Sequence, residues 1–321
     1  MRVLVIGAVR STERTISGLI RNGVVPVAIL GYDFHINGRN EPSGFCDLSV
    51  IAKEHSIPFK PFYNINDVDI IAWAKSLKLD AVFATGFSQL LSSPWFTVAK
   101  NGCIGFHPTK LPKGRGRAPL AWLILNEQEG AANFFSMTDR ADDGPIFVQI
   151  PFDIEIEDNA SSVEKKILGA IDKALDRWIP RLLEGDWTST IQDESSASYY
   201  GLRKPIDGYV DWKNDSTNIY KLVKASSSPH PNAFTFYKNF RVEILDAAFY
   251  NDQPFIGVLG RVLDVKNDNW LLVQCSDHPL WIKYQSPHII KIGQDLGIDF
   301  VSTVLRLNEE IEKLKGKMNE K

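Results

Sequence analysis

Residues Arg2–Gly23 read RVLVIGAVRSTERTISGLIRNG. The run Arg2–Gly7 is apolar and β-branched with no polar alternation, the pattern of a strand covered on both faces. Ser11 and Thr12 are suited to cap the helix that follows, and Gly23 to end it. A second apolar strand, VVPVAILG (24–31), comes next. Strand, helix, strand is the opening of a parallel sheet. The alternation continues: a polar, irregular segment Tyr32–Asp47, a helix LSVIAKEH (48–55), an edge-like strand IPFKPF (57–62), a helix DVDIIAWAKSLK (67–78) and a strand DAVFATG (80–86). GCIGFH (102–107) is another strand, RAPLAWLILNEQ (117–128) a helix, and ANFFSMTD (132–139) and GPIFVQIPFDI (144–154) extend the sheet. The fold expected for residues 1–185 is an α/β, doubly wound, mostly parallel sheet of Rossmann-like type.

After Leu183 the pattern changes. Residues 186–206 read as a linker. Short β-like runs separated by turns, RVEILDAAFY, GVLGRVLDV, NWLLVQC and PLWIKYQ, imply a small β-rich domain over 207–290. The tail 291–321 ends in a helix with Val301, Val304, Leu305, Ile311 and Leu314 near helical spacing, a stripe that packs on its own chain or on a partner.

The totals bound the function. The chain has 321 residues, 44% hydrophobic and 23% charged, as a soluble two-domain protein should. No apolar run is long enough to cross a bilayer. The N-terminus reads as a buried strand and not as a signal peptide. A net charge of −3 gives no reason to expect nucleic acid. Three scattered cysteines, Cys46, Cys103 and Cys275, show no disulfide or zinc spacing, so a reduced cytoplasm is expected and no metal. The turn after the first strand reads GAVRST and lacks a GxGxxG fingerprint, which disfavours a dinucleotide enzyme.

Two stretches carry chemistry. GFHPTKLPKGRGRAPLAW (105–122) puts His107 at the carboxyl end of a strand, where ligands gather in a doubly wound sheet, ahead of a basic loop. TDRADDGPI (138–146) offers Asp139, Asp142 and Asp143 in a glycine-bounded turn. A carboxylate beside an imidazole orients it for general acid–base work. A solvated turn and a structural histidine are the alternative, and residue types alone leave both open.

Together the pieces GFH, TKLPKGRGRAP and ADDGPI resemble the folate-dependent formyltransferase family. RKPIDGYVDW (203–212) and IYKLVKASSSPHPNAFTFY (219–237) look like the family's linker and the start of its C-terminal domain, so the resemblance reaches about residue 285. It places His107 on the family's catalytic histidine and Asp142, 35 residues later, on its catalytic aspartate. Thr109 falls on the loop serine. One position departs: the family's asparagine is Gly105 here. In the family that amide helps hold the formyl oxygen, and losing one such donor costs around 10²–10³ in rate.

The resemblance implies transfer of a formyl group from N10-formyltetrahydrofolate, as co-substrate, to a primary amine. His107 would relay the amine's proton toward folate N10, with Asp142 orienting it and balancing its charge. The folate would lie along ATGFSQLLSS (84–93), near Phe87, Gln89, Leu90, Leu91, Arg140 and Ala141. The KGRGRAP loop is similar to that of amino-sugar N-formyltransferases, including the pseudaminic-acid type. The implied acceptor is therefore a nucleotide-diphosphate amino sugar destined for surface or flagellar glycans, its phosphates met by Arg10, Ser11, Thr109, Lys113, Arg115 or Arg117. A homodimer is expected. The other readings are a methionyl-tRNA formyltransferase, a non-catalytic nucleotide-sugar or folate binder marked by Gly105, and a hydrolase releasing formate from the same pair.

Overall fold

The first strand, β1 (Val3–Gly7), is wholly buried, and the computed structural model shows why its sequence needs no polar face. The structure describes residues 1–33, 44–86, 89–238, 240–267, 269–297 and 300–319. Residues 34–43 of the expected irregular segment lie outside them.

The chain divides into two units, Met1–Arg203 with Ser228–His230, and Lys204–Ser227 with Pro231–Lys321. In the first unit, the strands after β1 are β2 (Ala28–Tyr32), β3 (Phe59–Phe62), β4 (Ala81–Ala84), β5 (Cys103–Thr109), β6 (Arg115–Gly116), β7 (Gly130–Ser136), β8 (Ile146–Phe152) and β9 (Tyr199–Tyr200). The helices are α1 (Arg10–Arg21), α2 (Leu48–Glu54), α3 (Val68–Ser76), α4 (Pro119–Asn126) and α5 (Ala160–Leu183). The main sheet runs β3-β2-β1-β4-β5-β7-β8. Its first five strands pair in parallel, while β7 and β8 run antiparallel to their neighbours. The expected doubly wound, mostly parallel fold is present.

Successive strand residues feed opposite cores. Leu4, Ile6, Leu30 and Val82 meet Ile70, Ile71 and Ala74 of α3 on one face. On the other, Phe83 and Phe134 meet Trp178 of α5, whose ring stacks on Phe134 at 5.7 Å and on Phe147 at 5.1 Å. The buried stripe of α5, Val163, Ile167, Ala170, Ile171, Ala174, Leu175 and Trp178, follows the three- and four-residue spacing of an amphipathic helix. Its outer face carries Asp172 and Asp176, which pair with Arg21 of α1 at 3.1 and 2.8 Å.

The strand order reverses at β1: β2 lies on one side and β4 on the other. This is the topological switch at which a doubly wound sheet opens a crevice beyond its carboxyl ends. The segment 186–203, expected as most of a linker, belongs to the first unit. Thr190 bridges Ile146, and β9 pairs in parallel with β6.

The second unit holds α6 (Ser216–Ala225), an antiparallel sheet of β10 (Ala233–Tyr237), β11 (Phe240–Phe249), β12 (Val262–Lys266), β13 (Trp270–Gln274) and β14 (Pro279–Gln285), and α7 (Phe300–Asn319). The sheet order is β10-β11-β14-β13-β12. One face closes over Ile219 and Val223 of α6, with Trp212 anchored by its indole N–H donating to Thr235 Oγ1 at 3.0 Å. No helix among the described residues is long and apolar enough to cross a membrane.

Cys103 and Cys275 each lie in one of the two cores. Burial pushes the thiols of Cys103 and Cys275 up to about 12, Asp277 and Asp215 adding to the effect at Cys275. Partial burial, and then the charge of Glu13, push Cys46 up to about 12. A thiol raised this far is about 10⁻⁴ ionised at pH 8. The folded protein is expected to react with an aromatic disulfide reagent at pH 8 far more slowly than a free thiol. All three sites should react at once in guanidinium. Rapid labelling of Cys103 or Cys275 in the native state would contradict this packing.

Candidate active site

β5 delivers Gly105, Phe106 and His107 to the switch-point crevice. His107 is held from both sides. Its Nε2 lies 2.8 Å from the carbonyl oxygen of Gly114. A carbonyl only accepts, so Nε2 carries hydrogen and donates. Its Nδ1 faces Asp142 Oδ2 at 3.4 Å, and the same oxygen accepts the Gly116 N–H at 2.8 Å. Both ring nitrogens thus face acceptors, Nε2 the Gly114 carbonyl and Nδ1 the Asp142 carboxyl. The backbone is fixed as well. The Asn133 side chain, paired across the strands with His107, donates to the carbonyls of His107 at 2.7 Å, of Ala131 and of Thr109, and accepts from Gln149 at 2.6 Å.

Asp142 sits in the left-handed region at φ 55°, a conformation Asp tolerates better than most residues. Gly116 also has a positive φ, and a Cβ there would meet the Tyr200 carbonyl oxygen at 2.6 Å. A glycine is thus required for β6 to lie against β9. The consequence is that the KGRGR loop turns its middle arginine inward.

Arg115 is fully buried. Its Nε and Nη2 donate to Gln192 Oε1 at 3.2 and 3.0 Å, and its Nη1 to Glu194 Oε2 and the Tyr199 hydroxyl, each at 2.9 Å. Burial pulls its pKa down, and the hydrogen bonds to Tyr199 and Glu194 more than reverse that. Gln192 passes the connection on: its amide donates to the carbonyls of Asp142 and Gly144, both at 2.8 Å. Gln192, Glu194 and Tyr199 escaped the sequence reading because their types and setting, in an apparent linker, carry no motif.

A cavity of about 590 Å³ opens at the site. All its lining residues belong to the first unit. Of the residues singled out from sequence, Ser11, Gln89, Leu90, Leu91, Gly105, His107, Arg117, Arg140, Ala141 and Asp142 line it. Arg10, Thr109, Lys113 and Arg115 do not. Arg10 pairs with Glu164 at 2.9 Å. The Thr109 hydroxyl donates to the Lys113 carbonyl at 2.7 Å and shapes the loop. The Lys113 side chain stands exposed away from the cavity. Arg115, expected near a diphosphate, is committed to the protein interior. Gln89 spends its amide on the backbone, accepting from Ile65 N–H at 2.8 Å and donating to Tyr63 at 2.6 Å. Phe87 lies outside the described residues. Arg140 leans on Asp143 at 3.3 Å, whose charge raises its pKa first, with Tyr199 and Glu194 adding to it. Arg117 forms no ion pair among the described residues and is the exposed cation of the loop at the cavity.

Gly105 has a steric reason. A Cβ built there would meet Phe135 Cζ at 2.6 Å and Met137 Cγ at 3.0 Å. Phe135 is the direct cross-strand partner of Gly105. Its ring takes the space a side chain at 105 would need. An apolar wall of Phe135 and Met137 thus stands where an amide would project. With Leu91, this wall beside the peptide groups of Arg140–Asp142 suits a flat heteroaromatic ring with a polar edge.

Residues 2–179 match the formyl transferase family and residues 203–289 the formyl transferase C-terminal domain. The chain belongs to the formyltransferase family. Three solved structures with a similar fold share little sequence with this chain. HypX from Aquifex aeolicus, in complex with tetrahydrofolic acid, is 17% identical with a TM-score of 0.61; the match covers 90% of this chain but 44% of HypX, so this chain spans less than half of that protein. The N-formyltransferase from Helicobacter canadensis, in complex with folinic acid and dTDP-3-aminofucose, is 17% identical with a TM-score of 0.65, covering 89% of this chain and all of that one (100%). Methionyl-tRNA formyltransferase from Clostridium thermocellum is 20% identical with a TM-score of 0.53, covering 79% of this chain and 96% of that one. In this formyltransferase-family chain, no group of histidine, cysteine and carboxylate side chains among the described residues could hold a metal.

The packing at Gly105 is testable. Gly105→Asn is expected to lower stability by about 1–3 kcal/mol through overpacking, measured by urea unfolding. In a Phe135→Ala background the same substitution should cost less, with a coupling of about 0.5–3 kcal/mol. Strict additivity would mean that the Phe135 ring is not what excludes a side chain at 105.

Proposed function

We propose that the protein is an N-formyltransferase whose acceptor is the primary amine of a nucleotide-linked amino sugar. The observation that carries this reading is the His107–Asp142 pair, its imidazole buried and both residues lining the cavity of about 590 Å³. N10-formyltetrahydrofolate supplies the formyl group. Leu91, Phe135 and Met137 are its apolar wall, and the backbone of Arg140–Asp142 meets its polar edge.

An amine becoming an amide must lose a proton. His107, whose Nε2–H is spent on the Gly114 carbonyl, takes that proton at Nδ1 with Asp142 beside it and passes it toward the leaving nitrogen. Asp142 stays oriented because Gly116 N–H and Gln192 hold its carboxylate and its carbonyl separately. Gly105 brings no side-chain donor, so the developing negative charge on the formyl oxygen is met by the positive charge that His107 gains with the proton.

On the acceptor side, Arg117 and Ser11 at the cavity suit a diphosphate. Sugar N-formyltransferases among the solved relatives, WlaRD included, support a sugar acceptor. A net charge of −3 favours this over a tRNA acceptor.

The test is incubation with N10-formyltetrahydrofolate and a panel of UDP- and dTDP-linked amino sugars, read by mass spectrometry for one added formyl group. His107→Ala and Asp142→Ala are each expected to lower kcat by at least about 10²-fold with unchanged circular dichroism. Arg117→Ala should raise KM for the sugar nucleotide by about tenfold, with little change in kcat. Activity should fall at acid pH, where the acceptor amine is protonated. A profile flat from about pH 5 to 9 would remove His107 from the proton path. Folate binding without product from any amine would identify a binding protein, and formate release without acceptor a hydrolase.

A further inference from the structure

The last helix of the second unit has a face with no role in that unit's core. α7 runs from Phe300 to Asn319, about 30 Å. Val304, Leu307, Ile311 and Leu314 stand 53, 46, 47 and 61% exposed. Their spacing is three, four, three. In sequence, Phe300 and Met318 continue it by four at either end. This is a 3.5-residue repeat sustained for about three heptads, the seam of a coiled coil rather than the broader stripe of a helix lying on a domain. In heptad terms, Val304 and Ile311 occupy position a, and Leu307 and Leu314 position d. β-branched residues at a with leucine at d is the combination that favours two parallel strands.

We infer that this seam pairs with the same helix of a second copy, parallel and in register, making the protein a symmetric homodimer. The flanking charges argue for a copy of itself. Glu310 falls at position g and Lys315 at the following e position, and both are exposed. In a parallel pair each Glu310 meets the partner's Lys315, and the two-fold axis repeats the contact. Lys315 lies 2.9 Å from Glu312 on its own helix, a bond that leaves its ammonium donors to spare. Leu305, 59% exposed at position b, lies off this seam. The inference is independent of the catalytic reading, since none of these residues lines the cavity.

Light scattering of the full chain is expected to give twice the 36.1 kDa chain mass. Ile311→Asp with Leu314→Asp should return it to the chain mass without altering the thermal transition of the first unit or the circular dichroism of the sheets. Glu310→Lys should weaken the dimer by about tenfold, and adding Lys315→Glu should restore it. Leu314→Cys should form an intermolecular disulfide under mild oxidation, because position d meets its own copy only in a parallel pair. Glu309→Cys on the opposite face should not. A wild-type chain that stays monomeric at every accessible concentration would overturn the inference. So would a dimer that survives the double aspartate variant, and a dimer in which Leu314→Cys fails to cross-link would overturn the parallel arrangement.

Discussion

The buried guanidinium of Arg115 is the interaction on which the site depends. A charge taken out of water is costly unless its donors are matched, and here four hydrogen bonds to Gln192, Glu194 and Tyr199 match it. Those partners come from the segment that follows α5, nearly eighty residues on in the chain. Arg115 therefore joins two remote stretches. Gln192 carries the join to the carbonyls flanking the Asp142 turn, and the Arg115 N–H adds a bond of 2.9 Å to Ser198. The loop that touches His107, the turn that supplies Asp142 and the extended segment behind both form one cross-braced body. The proton transfer proposed for this pair, 3.4 Å apart, needs such bracing because it tolerates little drift.

The second constraint is steric. Cross-strand pairing of β5 with β7 sets Gly105 against Phe135 and His107 against Asn133. Each pair has a different job. Asn133 spends its amide on strand carbonyls and so stiffens the backbone of His107 where a bulge begins, between His107 and Thr109. Phe135 fills the space at Gly105 with apolar surface. The glycine at 105 and the ring of 135 form one packing arrangement, and it leaves the His107–Asp142 pair as the chief polar feature of that wall. Low polarity around a charged group strengthens its field, and in the proposed reaction this partly offsets the side-chain donor that Gly105 does not supply.

Much of this was legible in the chain. The parallel sheet could be read from β1 and β4 because an apolar run between capped helices is a local signal, set by backbone periodicity and burial on two faces. His107 and Asp142 could be picked out because each sits at a strand end in a stretch that resembles a motif of the formyltransferase family. The boundary of the first unit was harder. Residues 189–203 lack hydrophobic periodicity, so they look like a linker, yet they pair by backbone bonds to β6 and by Gln192 to the Asp142 turn. Such bonds leave no pattern in side-chain type. The tail shows the same limit in reverse: Val301, Val304 and Leu305 stand out for hydropathy, but the seam through Val304, Leu307, Ile311 and Leu314 emerges once exposure is known.

What the sequence determined by itself is the alternation of strands and helices and the strand-end position of His107, both consequences of short-range pattern, while the choice of Asp142 among three neighbouring carboxylates came from the family resemblance. What only the tertiary structure decided is where the charges of KGRGR go. Lys113, Arg115 and Arg117 are equivalent on paper, each a cation next to a glycine. The left-handed backbone at Gly116, pressed against the Tyr200 carbonyl, sends Arg115 inward to a buried network and leaves Arg117 at the cavity. That choice depends on where β9 lies, and the position of a strand more than eighty residues away is fixed by packing, not by the residues of the loop.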